Sequence, residues 1–155
     1  MERADAEDGT RSQIGDDAPG ARPLAGRHAL ITGGNRGIGA AIADELARLG
    51  ASLTLAARDE ESLNLPREKS SRSGEVAVSI QTVDLRDPAS IAGAVTAAGD
   101  DLGPIGILVN NAGVAPSAPL AKLELDNWRE AFDVNVQAAF LLSQAVVGGM
   151  ADLGH

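Results

Sequence analysis

The sequence predicts an α/β fold in which helices cover both faces of a parallel sheet. Three observations predict it. Short β-type runs alternate with helical stretches from Arg27 onward, a glycine-rich turn joins the first run to the first helix, and the fourth run is apolar throughout. At 155 residues the chain fits one domain large enough to bury a core.

Residues 1–24 form an acidic stretch rich in Asp, Glu, Arg, Gly and Pro, with almost no large apolar side chain to offset the entropy of ordering. They are expected to be a disordered tail, and residues 25–155 the folded domain. The strands are predicted at His28 to Thr32, Ser52 to Ala57, Val76 to Val83 and Ile105 to Asn110. Between them the spacing predicts helices over Ile38 to Leu49, Glu60 to Ser70 and Pro88 to Ala98, so that each strand, helix and strand forms a right-handed crossover. Pro66 should shorten or kink the second helix, because it has no N–H to donate. A last helix is predicted from Asn127 to Met150, where Trp128, Phe132, Val136, Phe140 and Val147 recur at near-helical spacing as a core-facing stripe. Four strands wound this way give the spatial order 3-2-1-4 of the first half of a Rossmann sheet, with the fourth strand left as an exposed edge.

The turn Thr32-Gly33-Gly34-Asn35-Arg36-Gly37-Ile38-Gly39 follows a strand and opens a helix. Glycines there let the backbone turn sharply and approach a pyrophosphate, while the helix presents free N–H groups and its positive dipole end to the anion. With Asn110, Asn111, Ala112 and Gly113 after the fourth strand, the chain resembles the classical short-chain dehydrogenase/reductase family, N-terminal portion only. The resemblance spans nearly all of Arg27 to His155.

It implies that Gly33, Asn35, Arg36, Gly37, Ile38 and Gly39 hold the cofactor phosphates. Asp84 resembles the family's acceptor for the adenine amino group, with Leu85 beside the ring; Asn111, Ala112 and Gly113 resemble the segment that passes the ribose and ties the central strands together. Asn135, in Asp133-Val134-Asn135-Val136, resembles the active-site asparagine that helps hold a proton-relay water. Members specific for NAD carry an acid at the end of the second strand, whereas this chain has Ala57 and then Arg58. Arg58 and Arg36 could bond a 2′-phosphate, so NADP is expected over NAD.

The family's Tyr-x-x-x-Lys pair and its serine are not found. The chain has no Tyr, and its lysines are Lys69 and Lys122. Losing a positioned acid costs roughly 10²- to 10⁴-fold in rate. The resemblance therefore implies an NADP-dependent oxidoreductase acting on a carbonyl or secondary alcohol, with 3-oxoacyl-carrier-protein reductases among its look-alikes, but lacking its catalytic half. The alternatives are a non-catalytic dinucleotide-binding or partner-completing module, and a fragment without a role of its own. The family's dimers and tetramers imply a homo-oligomer contact on the long last helix.

Other chemistries have little material. A formal net charge of −9 argues against nucleic acid or an anionic membrane as partner. Absence of Cys excludes thiolate catalysis and cysteine metal sites, and two histidines, His28 and His155, cannot build a triad or metal cluster. The acidic runs Asp5 to Asp8 and Asp59 to Glu61 read as solvated faces. With no apolar leader and no run of 18 apolar residues, the expectation is a soluble, cytoplasmic protein.

Overall fold

The structure, a computed structural model, describes residues 22–154. Most of the acidic tail, including Asp5 to Asp8, and His155 lie outside the described residues. Arg22 to Gly26 turn into the domain, where the Leu24 N–H donates to the Leu49 carbonyl (2.9 Å) and Arg22 Nη2 to the Gly74 carbonyl (2.7 Å).

Four strands, β1 (His28–Thr32), β2 (Ser52–Ala57), β3 (Val78–Thr82) and β4 (Ile107–Val109), form one parallel sheet in the order β3-β2-β1-β4. Helices α1 (Gly37–Arg48), α2 (Glu61–Gly74) and α3 (Pro88–Leu102) join successive strands, and a long helical stretch follows β4. Strand alternation divides the core. Ala29 and Ile31 point into a cluster with Ala43, Ala47, Leu53 and Leu63 under α1 and α2, whereas Leu30 joins Val83, Ile91 and Ala98 on the opposite face. All three residues of β4 are half-buried, because it pairs with β1 on one side and forms the edge of the sheet on the other.

Pro66 does not stop α2, which continues to Gly74 and ends at Glu75 in the left-handed conformation (φ 50°). Proline removes one hydrogen bond near the N-terminal end, and burial of Leu63 and Ser70 against the sheet and α1 holds the helix on either side of that gap.

The last helical stretch corrects the predicted core stripe. It consists of α4 (Leu125–Phe132), a π-helical turn at Asp133–Gln137 and α5 (Ala138–Asp152). Its buried seam is Val134, Ala138, Leu142 and Val146, against α3 and β4. Trp128, Phe132, Val136, Phe140 and Val147 lie on the solvent side, each 46–61% exposed, with the Trp128 and Phe132 rings stacked 4.2 Å apart. Because α5 is apolar on nearly all sides, periodicity alone cannot select its buried face. A pair of adjacent residues tests this orientation. Val146→Ala is expected to cost about 1.5 kcal/mol in urea denaturation, from two buried methyl groups, whereas Val147→Ala should stay within about 0.5 kcal/mol. The helical stretch Leu125–Asp152 also contains an 18-residue window of mean hydropathy 1.3, so by length and composition alone it could cross a bilayer, although polar residues interrupt its apolar runs. Its seam on α3 makes it a layer of this domain.

A polar chain crosses the same face of the sheet. His28 is 4% exposed, with Nδ1 2.8 Å from the Gly103 carbonyl and Nε2 2.9 Å from Thr54 Oγ1, which lies 2.9 Å from Ser79 Oγ. Only a protonated Nδ1 can bond a carbonyl, so in the neutral ring Nε2 accepts from Thr54 and Ser79 donates to Thr54. Burial holds the His28 pKa below the usual 6.5, against the opposing pull of the Gly103 carbonyl and Asp101. The unfolded chain therefore binds a proton more readily than the folded one. Stability from this group should be full above about pH 6.5 and fall as pH drops below it, visible as a lower urea midpoint at pH 5.5 than at 7.5.

Candidate functional site

Where β1 and β2 end, the chain builds a cleft of about 430 Å³ at the carboxyl edge of the sheet. It is lined by Gly33, Asn35, Arg36, Gly37, Ile38 and Gly39 from the turn after β1, Arg58 after β2, Asp84 and Leu85 after β3, and Asn111, Ala112 and Gly113 after β4. The residues named from sequence for the cofactor thus converge from four separate segments. Asn135 is not among the lining residues, although its neighbour Val134 is.

The turn is held by interactions with distant residues. Gly33 has φ +66° and its N–H donates to the Ala56 carbonyl at 2.7 Å. Asn111 Nδ2 donates to the carbonyls of Thr32 (2.9 Å) and Gly33 (3.2 Å). The buried Thr32 hydroxyl accepts from the N–H groups of Asn111 and Ala112, each at 3.1 Å, and donates to the Val109 carbonyl at 3.3 Å. Asn35 Nδ2 donates to Ser62 Oγ on α2 at 3.1 Å. Asn35 therefore braces the turn against the neighbouring helix. Among the described residues no side-chain cap bond closes the N-terminus of α1 at Arg36, so its first N–H groups remain available to an anion in the cleft.

The cations and acids of the rim are arranged unequally. Neither Arg36 nor Arg58 forms an ion pair or side-chain hydrogen bond among the described residues, and both are exposed. Asp59, which adjoins Arg58, directs its carboxylate to the start of α2, accepting from the N–H groups of Glu61 (3.3 Å) and Ser62 (3.2 Å). Asp84 is gripped by Arg86, whose Nε and Nη2 donate to Oδ1 (2.9 Å) and Oδ2 (2.7 Å). These bonds hold the Asp84 carboxyl down at about 2.

Asn135 lies in the π turn, and both ends of its amide bond the backbone of Val114. The Val114 N–H donates to Oδ1 (2.9 Å), and Nδ2 donates to the Val114 carbonyl (2.7 Å). Its side chain therefore fixes the segment after Gly113 against the long helix. Ser143 donates to the Ala139 carbonyl within α5. Sequence reasoning placed Thr32 in the phosphate turn without giving it a role, and named none of Ser62, Arg86 or Val114. Thr32 opens the glycine turn, which was its signal; the Arg86 spacing of two from Asp84 also fits a side-chain fork closing on the acid, but only geometry reveals that it does.

Sheet order, crossover helices and a glycine turn at the carboxyl edge define a Rossmann-type α/β protein. The chain belongs to the short chain dehydrogenase family, whose sequence pattern matches residues 27–154. It is similar to gluconate 5-dehydrogenase of Gluconobacter oxydans, 38% identical over 132 residues, which cover 85% of this chain and 51% of that protein. It is 34% identical to the 3-oxoacyl-(acyl-carrier-protein) reductase FabG of Vibrio cholerae over 127 residues, covering 82% of this chain and 50% of that reductase. The crystal structure of a metagenomic short-chain oxidoreductase in complex with NADP aligns with a TM-score of 0.79 at 36% identity, over 84% of this chain and 59% of that one. The chain spans about half the length of these two curated relatives. The family's members are oxidoreductases acting on CH–OH groups.

Proposed function

We propose that this chain binds NADP in preference to NAD as the cofactor-holding part of a short-chain oxidoreductase, one that moves hydride between NADPH and a carbonyl or secondary alcohol. The observation that carries the choice of NADP is the pair of exposed arginines, Arg36 and Arg58, on the rim of the cleft, where Asp59, the residue after Arg58, is directed into the start of α2. A 2′-phosphate between two guanidinium groups would gain charge-assisted hydrogen bonds that a 2′-hydroxyl cannot match.

The cleft fits such a cofactor. The uncapped start of α1 and the turn from Gly33 to Gly39 would hold the pyrophosphate, Asp84 and Leu85 the adenine, and Asn111 to Gly113 the ribose nearer the nicotinamide. The bound nicotinamide supplies the hydride donor or acceptor. Asn135 acts as a positioning residue, holding Val114 so that the segment beside the ribose keeps its path. The NADP complex of the metagenomic relative and the resemblance to carrier-protein reductases support this reading.

A second reading, a dinucleotide-binding module without turnover, is favoured by where the lysines lie, outside the lining of the cleft. Lys69 pairs with Asp44 on the outside of α1 and α2, and Lys122 stands in an exposed 3₁₀ turn (Leu120–Lys122). One titration tests both readings. NADPH should bind at least about tenfold tighter than NADH, and equal affinities would overturn the NADP reading. Consumption of bound NADPH by this chain with a simple ketone would overturn the module reading; none is expected.

A further inference from the structure

We propose that Arg86 is a positioning residue for adenine recognition, clamping Asp84 so that its carboxylate retains one acceptor position for the exocyclic amino group of a bound adenine. This rests on the cofactor reading above.

An ionised carboxylate offers about four lone-pair positions. Asp84 Oδ1 already accepts twice, from the Arg86 backbone N–H (3.0 Å) and from Nε (2.9 Å). Oδ2 accepts once, from Nη2 (2.7 Å), and so has one position left. The remaining nitrogen of the fork, Nη1, faces Glu130 Oε1 on α4 at 3.6 Å, which anchors the guanidinium from its other side. Asp84 and Arg86 both line the cleft, with side chains 41% and 48% exposed. Without the clamp, a carboxylate exposed to that degree would sample several rotamers and lose entropy on meeting a ligand. The clamp removes that cost before binding. It also balances the charge of Asp84 at the rim of a cleft meant for phosphates, and it keeps the carboxyl ionised down to about pH 2, so the acceptor persists across any working pH.

The test compares NADPH with its hypoxanthine analogue, in which a carbonyl replaces the amino group and would point an acceptor at an acceptor. The full chain should bind NADPH about tenfold tighter than the analogue, the worth of one hydrogen bond to a charged group. In Arg86→Ala the ratio should fall to about two or less through weaker NADPH binding, with affinity for the analogue unchanged. Arg86→Lys keeps the charge and loses the fork, and its ratio should stay near that of the alanine variant. Three results would overturn the proposal: a tenfold ratio persisting in Arg86→Ala, equal loss of both ligands, or full recovery by lysine. Binding of neither ligand by the unaltered chain would instead overturn the cofactor reading.

Discussion

Gly39→Ala should weaken NADPH binding by more than about 100-fold and lower stability by about 1–3 kcal/mol. A methyl group at Gly39 would run into the Gly33 carbonyl oxygen and come within 2.5 Å of the Asn111 amide nitrogen. Neither neighbour can yield cheaply. Gly33 is tied through its N–H to Ala56, and Asn111 bridges the carbonyls of Thr32 and Gly33. Accommodating one methyl would therefore displace the whole phosphate turn, whose backbone N–H groups must lie within hydrogen-bond reach of the anion. Cofactor titration and urea denaturation of the same variant measure the two losses. An unaltered NADPH affinity would mean that the turn is not where phosphate binds.

Removing both rim arginines, as Arg36→Ala with Arg58→Ala, is expected to weaken NADPH binding by about 100-fold while NADH changes by no more than about twofold. Each exposed guanidinium contributes at the lower end of the range for charge-assisted bonds. Raising the salt concentration should erode the preference of the unaltered chain for NADPH and leave that of the double variant flat, because only the former depends on exposed charges. Equal weakening of NADH and NADPH would place the arginines on the shared pyrophosphate and not on the 2′-phosphate.

Local signals in the sequence specified much of this architecture. β1 and β2 were legible to the residue, since an apolar run bounded by turn residues has few alternative readings, and the order 3-2-1-4 followed from the alternation of strands and helices. β3 and β4 are shorter than predicted at both ends, although single backbone bonds at Ala77, Val83 and Gly106 continue toward the neighbouring strands. Signals failed where the decision was tertiary. The long helix is apolar on nearly all sides, so Val146 and Val147 look interchangeable until α3 is placed against one of them. Each of the cofactor-site residues proposed from the family's pattern reached the cleft, but their bonding partners were invisible. Asp59, read from sequence as part of a solvated acidic face, bonds the start of α2; Asp84 meets Arg86; Asn135 is engaged by the Val114 backbone. Residue type and spacing can indicate which groups gather, whereas the rotamers that pair them depend on packing.

The bond from the Asn111 N–H to the Thr32 hydroxyl joins positions 79 residues apart. During synthesis the glycine turn leaves the ribosome long before its clasp exists, so the turn can reach its final shape only after β4 has docked beside β1. Closing so long a loop makes this a late, topology-limited step of folding. In the finished protein the dependence runs in reverse. Excursions that lift the edge strand β4 release the turn as well, so amide hydrogens at Gly33 and Asn111 should exchange with solvent together, as one cooperative unit.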